Sequence, residues 1–135
     1  MREAQCRARQ LPVRDGRNVH QTPTRAHALQ CRLVLHSAKS INGITIRLTD
    51  ERWLHITEAH SELAGYLYEV LEAIECPGVI YQGGAGELLA ARQVEPGKYL
   101  VVVYREQASE GGFVITAFLT RRLRQIERRK RVWPR

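Results

Sequence analysis

The hydrophobic period of this chain changes at Pro77-Gly78 from about 3.6 residues to about 2, and that switch limits the folds open to it. Before it, Leu63, Tyr66, Leu67, Val70, Leu71 and Ile74 recur at helical spacing, and Glu62, Glu69, Glu72 and Glu75 fall outside the stripe. After it, residues 79–82, 87–93, 98–105 and 112–119 alternate and are rich in Val, Ile, Tyr and Phe, the pattern of strands. Gly83-Gly84-Ala85-Gly86 and Glu95-Pro96-Gly97 read as turns between them, and short connections join antiparallel neighbours. Upstream, residues 44–48 form a further strand candidate. Thr49 supplies an N-cap hydroxyl for a first helix through Trp53 and Ile56 to about His60, with Asp50 and Glu51 in its first turn. The expected architecture is α+β: an N-terminal strand and two helices packed on a four-stranded antiparallel meander, followed by a C-terminal basic helix.

Charge divides the chain into three. Residues 1–40 hold 8 Lys and Arg against 2 acids, residues 41–120 hold 5 against 11, and residues 121–135 hold 8 against 1. The body is acidic between two basic ends. Residues 1–40 carry no sustained apolar period and read as a loosely structured, solvated arm rather than an RNA-binding arm or transit peptide. Met1 is the sole Met and the periodic pattern begins near Ile41, which leaves open whether the arm belongs to the physiological protein. The folded domain is expected over 41–122 and a helical basic tail over 123–135, with Leu123, Ile126 and Trp133 as its apolar contacts. The longest apolar run, Tyr99 to Tyr104, is far below the roughly 20 residues of a membrane span, so no membrane partner is expected. Cys6, Cys31 and Cys76 are odd in number and irregularly spaced. They suggest neither a disulfide framework nor a zinc cage, and a reducing cytoplasm is the expected compartment. Cys76 reads as a buried small side chain rather than a nucleophile. The Gly83–Gly86 loop opens no helix and precedes no Lys-Ser/Thr, so a phosphate-binding loop is not expected.

The faces of the last two strands decide where chemistry can sit. If residues 106–111 connect them so that Arg105 pairs with Gly112, then Leu100, Val102, Tyr104, Phe113, Ile115, Ala117 and Leu119 share one apolar face beneath the helices. Tyr99, Val101, Val103, Arg105, Val114, Thr116 and Phe118 then share the uncovered face, and the Pro96-Gly97 hairpin adds Arg92 beside Tyr99. A slip of one residue exchanges the faces.

The segments IRLTDERWLHITEAHSEL, CPGVIY, KYLVVVYRE and GGFVITAFLT, in this order, resemble the phage-associated barnase/EndoU/colicin/RelE-like nuclease group over roughly residues 44–122. The resemblance rests on a His-Ile, spacer, His first helix, a long hydrophobic strand ending in a basic residue, and a last strand with two Thr. It implies an antiparallel sheet with N-terminal helices, a nuclease site on the uncovered sheet face, and a toxin or phage-linked effector role. Metal-independent RNA cleavage of this kind needs a base for the 2′-hydroxyl, an acid for the departing 5′-oxygen and a cation for the phosphate. No cofactor is implied. His55 and His60 suit the proton transfers, Arg105 or Arg92 the phosphate, and Thr116 a hydrogen bond, with Tyr99, Thr120 and Arg121 as further substrate contacts. RNA is the expected ligand, and an antitoxin or immunity protein a possible partner.

Each assignment has a plainer alternative. His55 and His60 are five apart, about 140° around a helix, so they do not chelate one metal, and at most one faces the site. Arg105 reads equally as a solvated strand end and Thr116 as a β-former. The RRLRQIERRKR run follows a phosphate backbone or simply caps a helix end. A noncatalytic nucleic-acid- or protein-binding module on the same fold is the alternative function.

Overall fold

The computed structural model describes residues 35–107 and 110–134. Most of the basic arm therefore lies outside the described residues, but its last part is not loose: Leu35–Lys39 forms strand β1, which pairs antiparallel with β2, Thr45–Thr49. Gly43 makes the turn between them at φ +80, a conformation that a side chain would strain. The Ser40 hydroxyl donates to the Glu106 carboxylate at 2.5 Å and accepts from the Asn42 and Ile44 N–H groups, fastening this hairpin to a distant strand end.

Thr49 ends β2 and caps helix α1, Asp50–Ala59, accepting the Arg52 N–H at 3.1 Å as expected. Helix α2 starts later than its periodicity implies. Residues Ser61–Leu63 form a 3₁₀ turn, and α2 spans Leu67–Glu75, burying Val70, Ala73 and Ile74. The apolar stripe is thus shared between a turn and a helix, because Leu63 reaches the same core from either.

The remaining elements are β3 (Val79–Gln82), β4 (Leu88–Glu95), β5 (Lys98–Gln107), β6 (Gly111–Thr120), the single-turn helix α3 (Arg124–Glu127) and β7 (Arg131–Trp133). The architecture is mixed α+β, but the sheet has seven strands in the order β1-β2-β6-β5-β4-β3-β7 rather than four. Strands β3 to β6 are antiparallel neighbours in sequence order, whereas β2 lies parallel to β6 through Ile46–Gly112 and Arg47–Phe113. The basic tail is not a continuous helix: after one turn it extends and pairs with β3 as the sheet's far edge.

Both helices lie on one face, α1 against β2 and β6, α2 against β1, β4 and β5. The main core between helices and sheet contains Ile46, Leu48, Ile56, Val70, Ile74, Leu100, Val102, Tyr104, Val114 and Ala117. A second apolar cluster forms on the opposite, outer face: Leu123 and Ile126 of the C-terminal segment cover Tyr81, Leu89, Ala91, Val101, Val103 and Phe118. The expected bare face is therefore partly roofed by the chain's own tail.

Cys76 is buried as expected, but it is disulfide-bonded, against the expectation of no disulfide framework, so the cysteines no longer argue for a reducing compartment. No helix among the described residues is long and apolar enough to cross a membrane.

Candidate nucleic-acid interface

The register of β5 on β6 sets the site. Arg105 pairs with Phe113, not Gly112, and Tyr104 with Val114, one residue from the expected alignment. That slip turns Phe113 to the outer face and Val114, 1% exposed, into the core, reversing both expectations. A bulge between Val103 and Tyr104 then leaves Ile115 unpaired and sets Thr116 opposite Val103. The second slip cancels the first. Leu100, Val102, Tyr104, Ala117 and Leu119 face the helices, and Thr116 returns to the face of Arg105. Two residues along the strand and one cross-strand step separate them, roughly 8 Å between Cα atoms.

Three further positions complete the row through Arg105. Arg47, parallel to Phe113 on β2, lies on the same face, and its Nη1 donates to the Glu110 carbonyl at 3.2 Å. Glu87 precedes Leu88, the partner of Tyr104, and so stands beside Arg105. Hydrogen bonds from the backbone N–H groups of Glu87 itself and Ala85 hold its carboxyl below the usual carboxylate range, helped by the Arg105 and Arg129 guanidiniums. A Cβ on Gly83 would overlap the Glu87 side chain, so glycine there makes room for this folded-back carboxylate.

His60, the C-cap of α1, is also brought to this face. Among the described residues β2 pairs with β6 only at Gly112 and Phe113, and the end of α1 passes the rest of that strand edge; the His60 ring lies 6.3 Å from the ring of Phe118. Phe118 is two residues from Thr116 on the same face. Glu62 Oε2 lies 3.7 Å from His60 Nδ1. At the other end Tyr99 pairs with Thr120, whose hydroxyl accepts the Arg122 N–H at 2.9 Å, and Arg121 is exposed beside them.

Two expected site residues are elsewhere. His55 projects from α1 with its side chain 66% exposed, 4.0 Å from Glu58. Arg92 pairs with Leu100, on the helix face; its Nη1 donates to the Cys76 carbonyl and its Nε lies 3.7 Å from Glu72. It is a clamp on the end of α2, because Gln93 and not Arg92 is the neighbour of Tyr99. Arg47, Phe113 and Glu87 escaped the sequence reading. The alternation of residues 44–48 marks Arg47 as facing away from Ile46, but only the long-range β2–β6 pairing reveals whom it joins.

The chemistry of the face is cationic and aromatic. Arg121, Arg122, Arg124, Arg128, Arg129, Lys130 and Arg131 of the C-terminal segment are all exposed, and Leu123 and Ile126 pin that segment on the outer side. Among the described residues no group of His, Cys, Asp and Glu is arranged to hold a metal ion. Comparison with protein-family models, with curated proteins and with solved structures returns no match.

Proposed function

We propose that this protein is an endoribonuclease of the barnase/EndoU/colicin/RelE-like kind, acting on the outer sheet face as a toxin or phage-linked effector. The observation that supports the reading is that the bulge sets Thr116 on the face of Arg105, with the His60 ring reaching that face beside Phe118. Arg105 holds the phosphate with planar donors, Thr116 donates to a non-bridging oxygen, and His60 moves a proton on the 2′-hydroxyl side. The attacking group belongs to the RNA, so DNA is spared.

The position of His55 favours a second reading. Of the two imidazoles expected to share acid and base work, only His60 reaches the face. A surface that binds RNA without cutting it needs only the cations and rings. The experiment is incubation of end-labelled RNA with purified protein and a chelator. Cleavage should leave 2′,3′-cyclic phosphate ends and fall roughly 100-fold or more in His60→Ala and Arg105→Ala. Unchanged cleavage in both variants removes this site. Intact RNA that is nevertheless bound establishes the noncatalytic reading.

A further inference from the structure

Three adjacent strands place Arg47, Phe113 and Arg105 in one row on the outer face, an aromatic ring between two guanidiniums. Neighbouring strands are about 4.8 Å apart, so the Cα atoms of the two arginines are roughly 10 Å apart. Phe113 is partly buried and joins neither apolar cluster, unlike Phe118, which belongs to the outer cluster with Leu123 and Ile126. A large ring left out of both cores keeps part of its surface open to a ligand. Arg47 spends one donor on the Glu110 carbonyl, which fixes its direction and leaves other N–H groups to offer. The Arg105 guanidinium passes Gly86 closely, where an added Cβ would lie 3.3 Å from its Nη1.

We propose that Arg47, Phe113 and Arg105 form a nucleotide subsite for single-stranded RNA. One base stacks on Phe113, and the phosphates on its two sides take the two guanidiniums. The proposal rests on the RNA reading above for the identity of the ligand, and the charge of the row and of the exposed C-terminal cations favours a polyanion. A duplex keeps its bases stacked on one another and offers Phe113 no face, so the subsite selects single strands.

The test uses the full chain and a fluorescent 2′-O-methyl oligoribonucleotide, which lacks the attacking hydroxyl and survives the measurement. Anisotropy titrations compare it with a duplex of equal length, and wild type with Phe113→Leu and Arg47→Gln, each checked for an unchanged urea midpoint. The expected result is at least tenfold preference for the single strand in wild type and roughly tenfold weaker binding in each variant. An abasic nucleotide at the stacked position should weaken wild type and leave Phe113→Leu unaffected. Equal binding by wild type and both variants overturns the subsite, as does equal affinity for the duplex. Displacement of the oligonucleotide by polyglutamate of equal charge also overturns it, in favour of an acidic protein partner. If wild type cuts RNA but Phe113 does not matter, the subsite alone fails. If Phe113-dependent binding occurs without cleavage, the subsite stands and the nuclease reading falls.

Discussion

Tyr104 is fully buried in the main core, and its hydroxyl has no hydrogen-bond partner among the described residues. Burial, with Glu106 adding to it, pushes the phenol's pKa well above the ordinary 10.0. The folded state therefore keeps a proton that the unfolded chain releases, and stability present below about pH 10 is lost as pH rises above it. Tyr104→Phe removes an unsatisfied group at nearly constant volume. It should be neutral or stabilise by about 1 kcal/mol at pH 7 in urea unfolding, and should flatten the decline above pH 10. A second test concerns Gly112. A Cβ there would lie 2.6 Å from Ile46 Cδ1 and collide with the Arg105 carbonyl, backbone that has nowhere to go. Gly112→Ala should cost about 1–3 kcal/mol by the same measurement with the urea slope unchanged. At this scale the sequence is least transparent. Nothing local to Arg92 distinguishes a phosphate ligand from a helix clamp, because its direction depends on pairing with Leu100 rather than Tyr99.

Elements were more legible than their alignment. Periodicity and turn glycines located α1, the core stripe of α2 and strands β3 to β6 to within a few residues, because those signals are local. The bulge at Ile115 is not local: a long connection fixes register weakly, and an apolar strand reads equally well on either face. β1 was hidden in the basic arm, since its partner β2 lies across the hairpin and its side chains carry little alternation. The α2 end yields a prediction of its own. Arg92 donates to the Cys76 carbonyl and stands by Glu72, where positive charge also complements the helix dipole. Arg92→Ala should destabilise the protein by about 1–3 kcal/mol, measured by thermal or urea unfolding, while RNA affinity per folded molecule is unchanged. Weaker RNA binding at full folding would return Arg92 to the site.

For the whole molecule, charge is arranged rather than merely abundant. The basic stretch around Leu123 and Ile126, with Arg121, Arg122, Arg124, Arg128 and Arg129 exposed, is laid by those two residues over the outer side of β3, β4 and β5. RNA affinity should fall with salt, with a log–log slope that shrinks by about 0.7 for each contacting cation removed, so Arg124→Gln and Arg128→Gln should each change it in anisotropy titrations. Seven of the eleven acids of residues 41–120 lie on α1, the 3₁₀ turn and α2, on the helix side of the sheet. The most direct measurement is photo-crosslinking of a single-stranded, thiouridine-containing 2′-O-methyl oligonucleotide followed by peptide mapping. Crosslinks should fall on β5, β6 and residues 121–131. Labelling of α1 and α2 around the exposed Leu54 and Tyr68, with β5 and β6 unmarked, would contradict the assignment of RNA to this face.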